Sequence, residues 1–198
     1  MSTRMTVWIF LLSAAILQAE DAAPQNLLHN PGFETRDLKN DKMPADWGPF
    51  AEKGETTAYM LVTDTPKDGN FALKMAFDNN ASTFYGVLQR LPARAGKQVT
   101  WTVFLRNVSM RDESYVQISI EWIGEDKKEI SRSWGPAAKA VDVTTDDWKK
   151  FEVVAVAPEG AVEMNTVVTM FPAGSPDGAL LLDDASASSK DAPKKPAP

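Results

Sequence analysis

Few residues of this chain can take part in bond-making chemistry. Among 198 residues there is one histidine, His29, and no cysteine. A thiol nucleophile, a Cys-based zinc site and a disulfide scaffold are therefore excluded, and a Ser-His-Asp relay would depend on a single position. No G-x-S-x-G elbow accompanies His29, and no phosphate-cradling or dinucleotide glycine motif occurs. Asp and Glu number 27, yet no spacing singles out two that would flank a glycosidic bond. The chain has few tools for catalysis, and the expectation is a protein that is not itself an enzyme.

Composition narrows the class further. At 43% hydrophobic and 24% charged the chain is of globular type, with room for one domain. The net charge of −6 argues against a nucleic-acid partner, which needs a basic stripe. Arg4 followed by the apolar run Val7–Leu17 (VWIFLLSAAIL) has the form of a signal peptide, and eleven residues are too few for a relaxed transmembrane helix. Cleavage after Ala19 removes only Arg4 among the charges, taking the net charge to −7. A secreted, periplasmic or cell-envelope location follows, with no membrane insertion after cleavage. From Ser186 to Pro198 the chain reads SASSKDAPKKPAP, too poor in apolar surface to offset its ordering entropy. The expected organisation is a signal peptide over 1–19, a short linker over 20–25, a folded domain over 26–185 and a disordered tail over 186–198.

Within the domain the pattern is strand after strand. Leu73, Met75 and Phe77 alternate with polar or small neighbours, as do Val116, Ile118, Ile120 and Trp122 with Tyr115, Gln117, Ser119 and Glu121. Val87–Leu91, Gln98–Val108, Lys128–Trp134, Phe151–Val156, Glu163–Phe171 and Ala179–Asp184 are further β-rich runs bounded by turn residues. No window of a dozen residues after the signal peptide carries a persuasive 3.6 period. The fold class expected is all-β, an antiparallel sandwich or barrel.

The order of landmarks is more specific. Asn26-Leu27-Leu28-His29-Asn30-Pro31-Gly32-Phe33-Glu34 opens the domain, and Pro44-Ala45-Asp46-Trp47 follows. Gly69-Asn70-Phe71-Ala72-Leu73-Lys74-Met75, Gly96-Lys97 leading into Trp101, and Trp148-Lys149-Lys150-Phe151 come next. Gly178-Ala179-Leu180-Leu181-Leu182-Asp183-Asp184 closes it. This succession resembles carbohydrate-binding modules of the CenC type, families four, nine, sixteen and twenty-two, over roughly residues 25–188. The resemblance implies a galactose-binding-domain-like, two-sheet antiparallel jelly-roll β-sandwich.

Two sites are expected on such a sandwich. Asn30-Pro31-Gly32 is a turn signal, proline fixing one φ and glycine permitting a positive one, which would send Phe33 inward and Glu34 to the sheet edge. If first and last strands lie side by side, Glu34 faces Asp183-Asp184, and like charges so placed repel unless a cation joins them. Hard oxygens suit Ca²⁺, with the Asp68-Gly69 turn completing the shell. The resemblance likewise implies a structural calcium, so Glu34, Asp68, Asp183 and Asp184 are the candidate metal residues. Solvated surface carboxylates are the plain alternative.

A sugar presents C–H faces and a ring of hydroxyls, so its site combines an aromatic platform with Gln, Asn, Asp or Arg side chains. The candidates are Tyr85, Gln89, Arg106, Tyr115, Gln117 and Trp134, with Phe84 an alternative platform. Trp101, Trp122 and Phe151 lie in phase with core residues. The expected function is non-catalytic holding of a poly- or oligosaccharide in a shallow groove. The alternatives are a cell-envelope structural or protein-interaction domain on the same sandwich, or a small hydrolase or lyase. The oligomeric state and the identity of the glycan are not legible in the sequence.

Overall fold

A computed structural model describes residues 25–52, 59–76, 83–110, 113–139, 142–143, 145–171 and 178–193. The signal-peptide region 1–19 lies outside the described residues. Among the described residues ten strands form: β1 Gly48–Ala51, β2 Tyr59–Val62, β3 Ala72–Ala76, β4 Tyr85–Pro92, β5 Lys97–Asn107, β6 Tyr115–Ile123, β7 Glu129–Lys139, β8 Lys149–Val156, β9 Glu163–Phe171 and β10 Ala179–Asp191. They build two five-stranded antiparallel sheets, ordered β1-β4-β9-β6-β7 and β2-β3-β10-β5-β8. The fold is the expected all-β sandwich.

The period-2 alternation explains how the sheets face each other. Val116, Ile118, Ile120 and Trp122 of β6 are almost fully buried, as are Val99, Trp101, Val103 and Leu105 of β5, and both sets enter one core cluster. The middle strand β9 is buried along nearly its whole length. A middle strand, flanked on both sides, can bury even its outward residues among neighbouring side chains and so has no need of alternation. β1 and β2, each four residues long, were not legible as strands. They are sheet edges, and Pro49 is tolerated in β1 because an edge strand can leave one N–H side unpaired.

The C-terminal boundary corrects the expectation. Ser186–Asp191 are no tail. They continue β10 and pair with β5 from Ser186 opposite Thr102 to Asp191 opposite Lys97. Ala185 and Ala187 are buried in the core, and Leu27 donates its N–H to the Ala187 carbonyl. The Asn26 side chain brackets the same stretch, donating to Ala185 O and accepting from Ala187 N. Small Ser and Ala residues suit a strand that the N-terminal segment crosses closely, and backbone pairing supplies what side-chain area does not.

The opening turn also differs from expectation. Positive φ falls on Asn30 (48°) and Phe33 (58°), not on Gly32. Phe33 carries that strained backbone because its ring is fully buried, 5.0 Å from Trp47. Asn30 holds the turn by donating to Thr35 O and Ala45 O and accepting from Thr35 N.

Candidate functional site

Residues directly opposite across antiparallel strands share a face, so the pairing register gives the outward surface of the first sheet row by row. One row is Gly86, Thr169, Gln117 and Ala137, and the next is Leu88, Val167, Ser119 and Trp134. A third is Arg90, Asn165, Glu121 and Arg132, while Phe171, Tyr115 and Lys139 border the other side. On β9 the outward Asn165, Val167 and Thr169 are buried under their neighbours. The surface open to a ligand therefore belongs to the flanking strands. Trp134 is 53% exposed and Tyr115 37%, with Gln117 half-buried between them.

A β-bulge aims Trp134. The β6–β7 register shifts between Gln117 and Ser119, so that Gln117 faces Ala137 while Ser119 faces Trp134. Gly135 makes this possible. A Cβ there would come within 2.5 Å of Val153 Cγ2 and 2.8 Å of Ile118 Cγ1, so β7 can approach β6 and β8 only at a glycine. Ser119 is wholly buried, and its hydroxyl finds no partner among the described residues.

A connected polar network lies along one side. Arg90 Nε donates to Asn165 Oδ1 (3.1 Å), and Asn165 Nδ2 donates to Glu121 Oε2 (2.8 Å). Arg132 Nη2 lies 2.6 Å from Glu121 Oε1, and Arg132 forks onto Glu129 through Nε (3.0 Å) and Nη2 (2.7 Å). Lys127 Nζ donates to Glu163 (2.8 Å). The Glu129 hydrogen bond raises the Arg132 pKa, partial burial opposes it, and the charges of Glu121 and Glu129 add to the rise. Three cations and three carboxylates thus compensate each other, and the amide of Asn165 bridges them.

Of the six residues proposed for sugar contact, the structure gathers three. Tyr115, Gln117 and Trp134 share the outward face described above. Tyr85 does not join them: it is 4% exposed, points into the core opposite Met170, and meets Tyr59 edge-on at 6.3 Å. Gln89 is also inward. Its amide donates to His29 O (2.8 Å) and accepts from His29 N (2.7 Å), which lets a polar side chain occupy a core position between Val87 and Leu91. Arg106 belongs to the second sheet, donating to Thr145 O and Thr65 Oγ1. Its phase was legible but its sheet was not, because β5 and β6 follow one another in sequence yet lie in different sheets. Sequence reasoning missed Arg90, Asn165, Arg132 and Phe171. The shared phase of Asn165 and Phe171 on β9 was the one available signal.

The candidate metal residues form a different device. Glu34 Oε1 accepts the N–H groups of Asn70 (2.9 Å) and Phe71 (3.0 Å), and its Oε2 accepts Asn70 Nδ2. Asp183 Oδ2 accepts the N–H groups of Lys67 (2.7 Å) and Asp68 (3.1 Å), and its Oδ1 accepts Asp184 N. Lys67 Nζ sits 2.6 Å from Asp184 Oδ2 and 3.9 Å from the centre of the Phe104 ring. Partial burial pushes the Glu34 pKa up, but the hydrogen bonds from Phe71 and Asn70 outweigh it and hold the carboxyl below its usual value. Asp183 is raised, because burial outweighs the three backbone donors. Calcium takes six to eight oxygens. Among the described residues no group of three or more acidic or histidine side chains is arranged to hold a metal, and the Asp68 main chain meets Asp183 through its N–H. As arranged, these residues do not fit the calcium shell expected of them.

Comparison with known proteins places this architecture. Neither a protein-family model nor a curated protein matches the chain. Solved structures do. TmCBM61 in complex with β-1,4-galactotriose superposes with TM-score 0.59 at 16% identity, over 84% of this chain and 99% of that one. The fold is that of carbohydrate-binding modules. The CBM22-1 xylan-binding domain from Paenibacillus barcinonensis Xyn10C gives 0.57 at 15% identity, covering 86% and 98%. The same sandwich is also matched within a larger protein. The enzymatically active domain of Bacteriophage CBA120 tailspike protein 4 matches with TM-score 0.61 at 10% identity over 83% of this chain, which spans only 21% of that protein.

Proposed function

We propose that this protein is a non-catalytic carbohydrate-binding protein that holds a poly- or oligosaccharide against the outward face of its first sheet. Trp134 supplies the platform, Tyr115 a second aromatic surface, and Gln117 a hydrogen-bonding amide between them. Arg90 and the Asn165–Glu121–Arg132 network border the bound chain on one side. The observation that carries this reading is the meeting of Tyr115, Gln117 and Trp134 on one accessible face. A sugar needs this mixture, an apolar ring face beside directional polar groups. The fold it shares with a module solved in complex with β-1,4-galactotriose and with a xylan-binding domain supports the same reading. We infer further that the protein acts after export, on the form of the Arg4 and Val7–Leu17 segment. Affinity from one or two platforms and a few hydrogen bonds is expected to be modest, with dissociation constants of roughly micromolar to millimolar.

A second reading, an envelope interaction domain, draws on the other sheet. Met60, Val154 and Val156 are about half exposed, and their alternation with buried neighbours turns them away from the core. Affinity electrophoresis against soluble β-glucans, xylan, mannan and pectins, with Trp134→Ala alongside, separates the two. Retardation by one glycan that the variant loses is expected. Retardation that survives the variant discards this site, and none with any glycan favours the interaction domain.

A further inference from the structure

We propose that Arg132 is a positioning residue that fixes the Trp134 ring as a one-sided platform for a sugar. This role rests on the carbohydrate reading above. The Arg132 guanidinium carbon lies 4.8 Å from the centre of the Trp134 ring, in cation–π contact with it. A guanidinium so placed engages one face of the indole and leaves the other for a ligand. Arg132 is itself immobilised, forked onto Glu129 and paired with Glu121 at 2.6 Å. Glu121 is held in turn by Asn165, which Arg90 anchors from β4. The orientation of one exposed ring on the edge strand β7 is thus tied across β6 and β9 to β4.

The local backbone serves the same end. The bulge turns Trp134 outward, Gly135 after it brings the backbone too close to Ile118 and Val153 for a side chain, and Ser133 accepts the Trp122 indole N–H on the other side. Trp134 is therefore bounded by fixed neighbours in sequence and by a fixed cation in space. A platform ordered before binding loses less rotamer freedom when the sugar arrives, and this is the route by which a residue acting through the Trp134 ring raises affinity. The network contains as many carboxylates as cations, so Arg132 is committed to the ring and to its two glutamates.

The experiment uses the full chain, with ¹⁵N relaxation of the Trp134 indole N–H measured in wild type, Arg132→Gln and Arg132→Lys. Dissociation constants come from electrophoresis in the retained glycan among β-glucan, xylan, mannan and pectin. Arg132→Gln is expected to loosen the indole and weaken binding about three- to tenfold. Lysine keeps the charge but loses the planar stack and the fork, and should restore only part of both readouts. A merely structural role would lower the melting temperature without moving the indole order. An indole as ordered in Arg132→Gln as in wild type overturns the proposal. So does unchanged affinity in that variant when Trp134→Ala abolishes retention, an outcome that leaves the carbohydrate reading standing. No retention by wild type overturns both. Where Arg132→Gln fails to fold, Glu129→Gln takes its place: it keeps the cation, loosens its anchor and is expected to shift both readouts in the same direction by less.

Discussion

Glu34 and Asp183 hold one loop from its two ends: Asp183 takes the N–H groups of Lys67 and Asp68, and Glu34 takes those of Asn70 and Phe71. Between them sits Gly69, and beside them Lys67 reaches Asp184. Glu34 and Asp183 are thus linked through this loop, while the opening segment also meets the last strand directly through Leu27, Pro31 and Asn26.

Metal removal is the first test of that arrangement. Because N–H donors and the Lys67 ammonium already meet these carboxylates, EDTA is expected to leave the melting curve unchanged. Lys67→Met should lower stability by about 1 kcal/mol or less, the exposure of the pair limiting its worth. A fall in melting temperature on chelation, restored by calcium, would return the cation to this corner.

Gly69→Ala should be costly. Its φ is +68°, and a Cβ would collide with the Glu34 carboxylate. Both the backbone strain and the displaced carboxylate act, so a loss of roughly 1–3 kcal/mol is expected in a denaturant titration. Gly96→Ala is the control: φ is +80°, but nothing lies within 4 Å of the added methyl. It should show the backbone cost alone, roughly 1 kcal/mol.

Two glutamines separate stability from binding. Gln89→Ala removes both hydrogen bonds to the His29 backbone and opens space in the core. A loss of about 2–4 kcal/mol is expected, with glycan retention kept at temperatures where the protein stays folded. Gln117→Ala should change stability by only about 0.5 kcal/mol yet weaken retention. The opposite pattern would exchange the roles given to the two residues.

Acid stability should depend on Glu163. The hydrogen bond from Lys127 lowers its pKa, burial opposes the shift, and the charges of Lys127 and Arg90 add to it. A carboxyl with a depressed folded-state value contributes stability above its ordinary pKa of 4.5 and loses it as pH falls through the lower folded value. The melting-temperature advantage of wild type over Glu163→Gln should be constant near neutrality and shrink below about pH 4.5. High salt should reduce it, since the pair is exposed.

Much of the sandwich was legible in the sequence because burial on one face writes itself as period 2. Val116 to Trp122 on β6 and Val99 to Leu105 on β5 declare their inward sides without ambiguity. Period 2 says which residues share a face of one strand, but not which strand lies beside it. Arg106 and Tyr115 were joined on that missing information, and the crossover between sheets parts them. Gln89 was misplaced for another reason: a core glutamine is acceptable only through the His29 backbone, a contact 60 residues distant in sequence. Ser186–Asp191 were lost because composition registers side chains, whereas that stretch is held by its main chain.

The central place of β10 sets the order of events in folding. β3 and β5, and with them β2 and β8, are joined in one sheet only through this final strand. Until it arrives, the second sheet exists as two unconnected pairs with their inner edges open. All the described strands before it can leave the ribosome before the second sheet can close. Closure then pairs Ala179–Leu182 with strands about a hundred residues back on one side and about seventy-five on the other. Contacts of such long range are slow to form, so the chain stays open to chaperones and proteases until its last strand is in place.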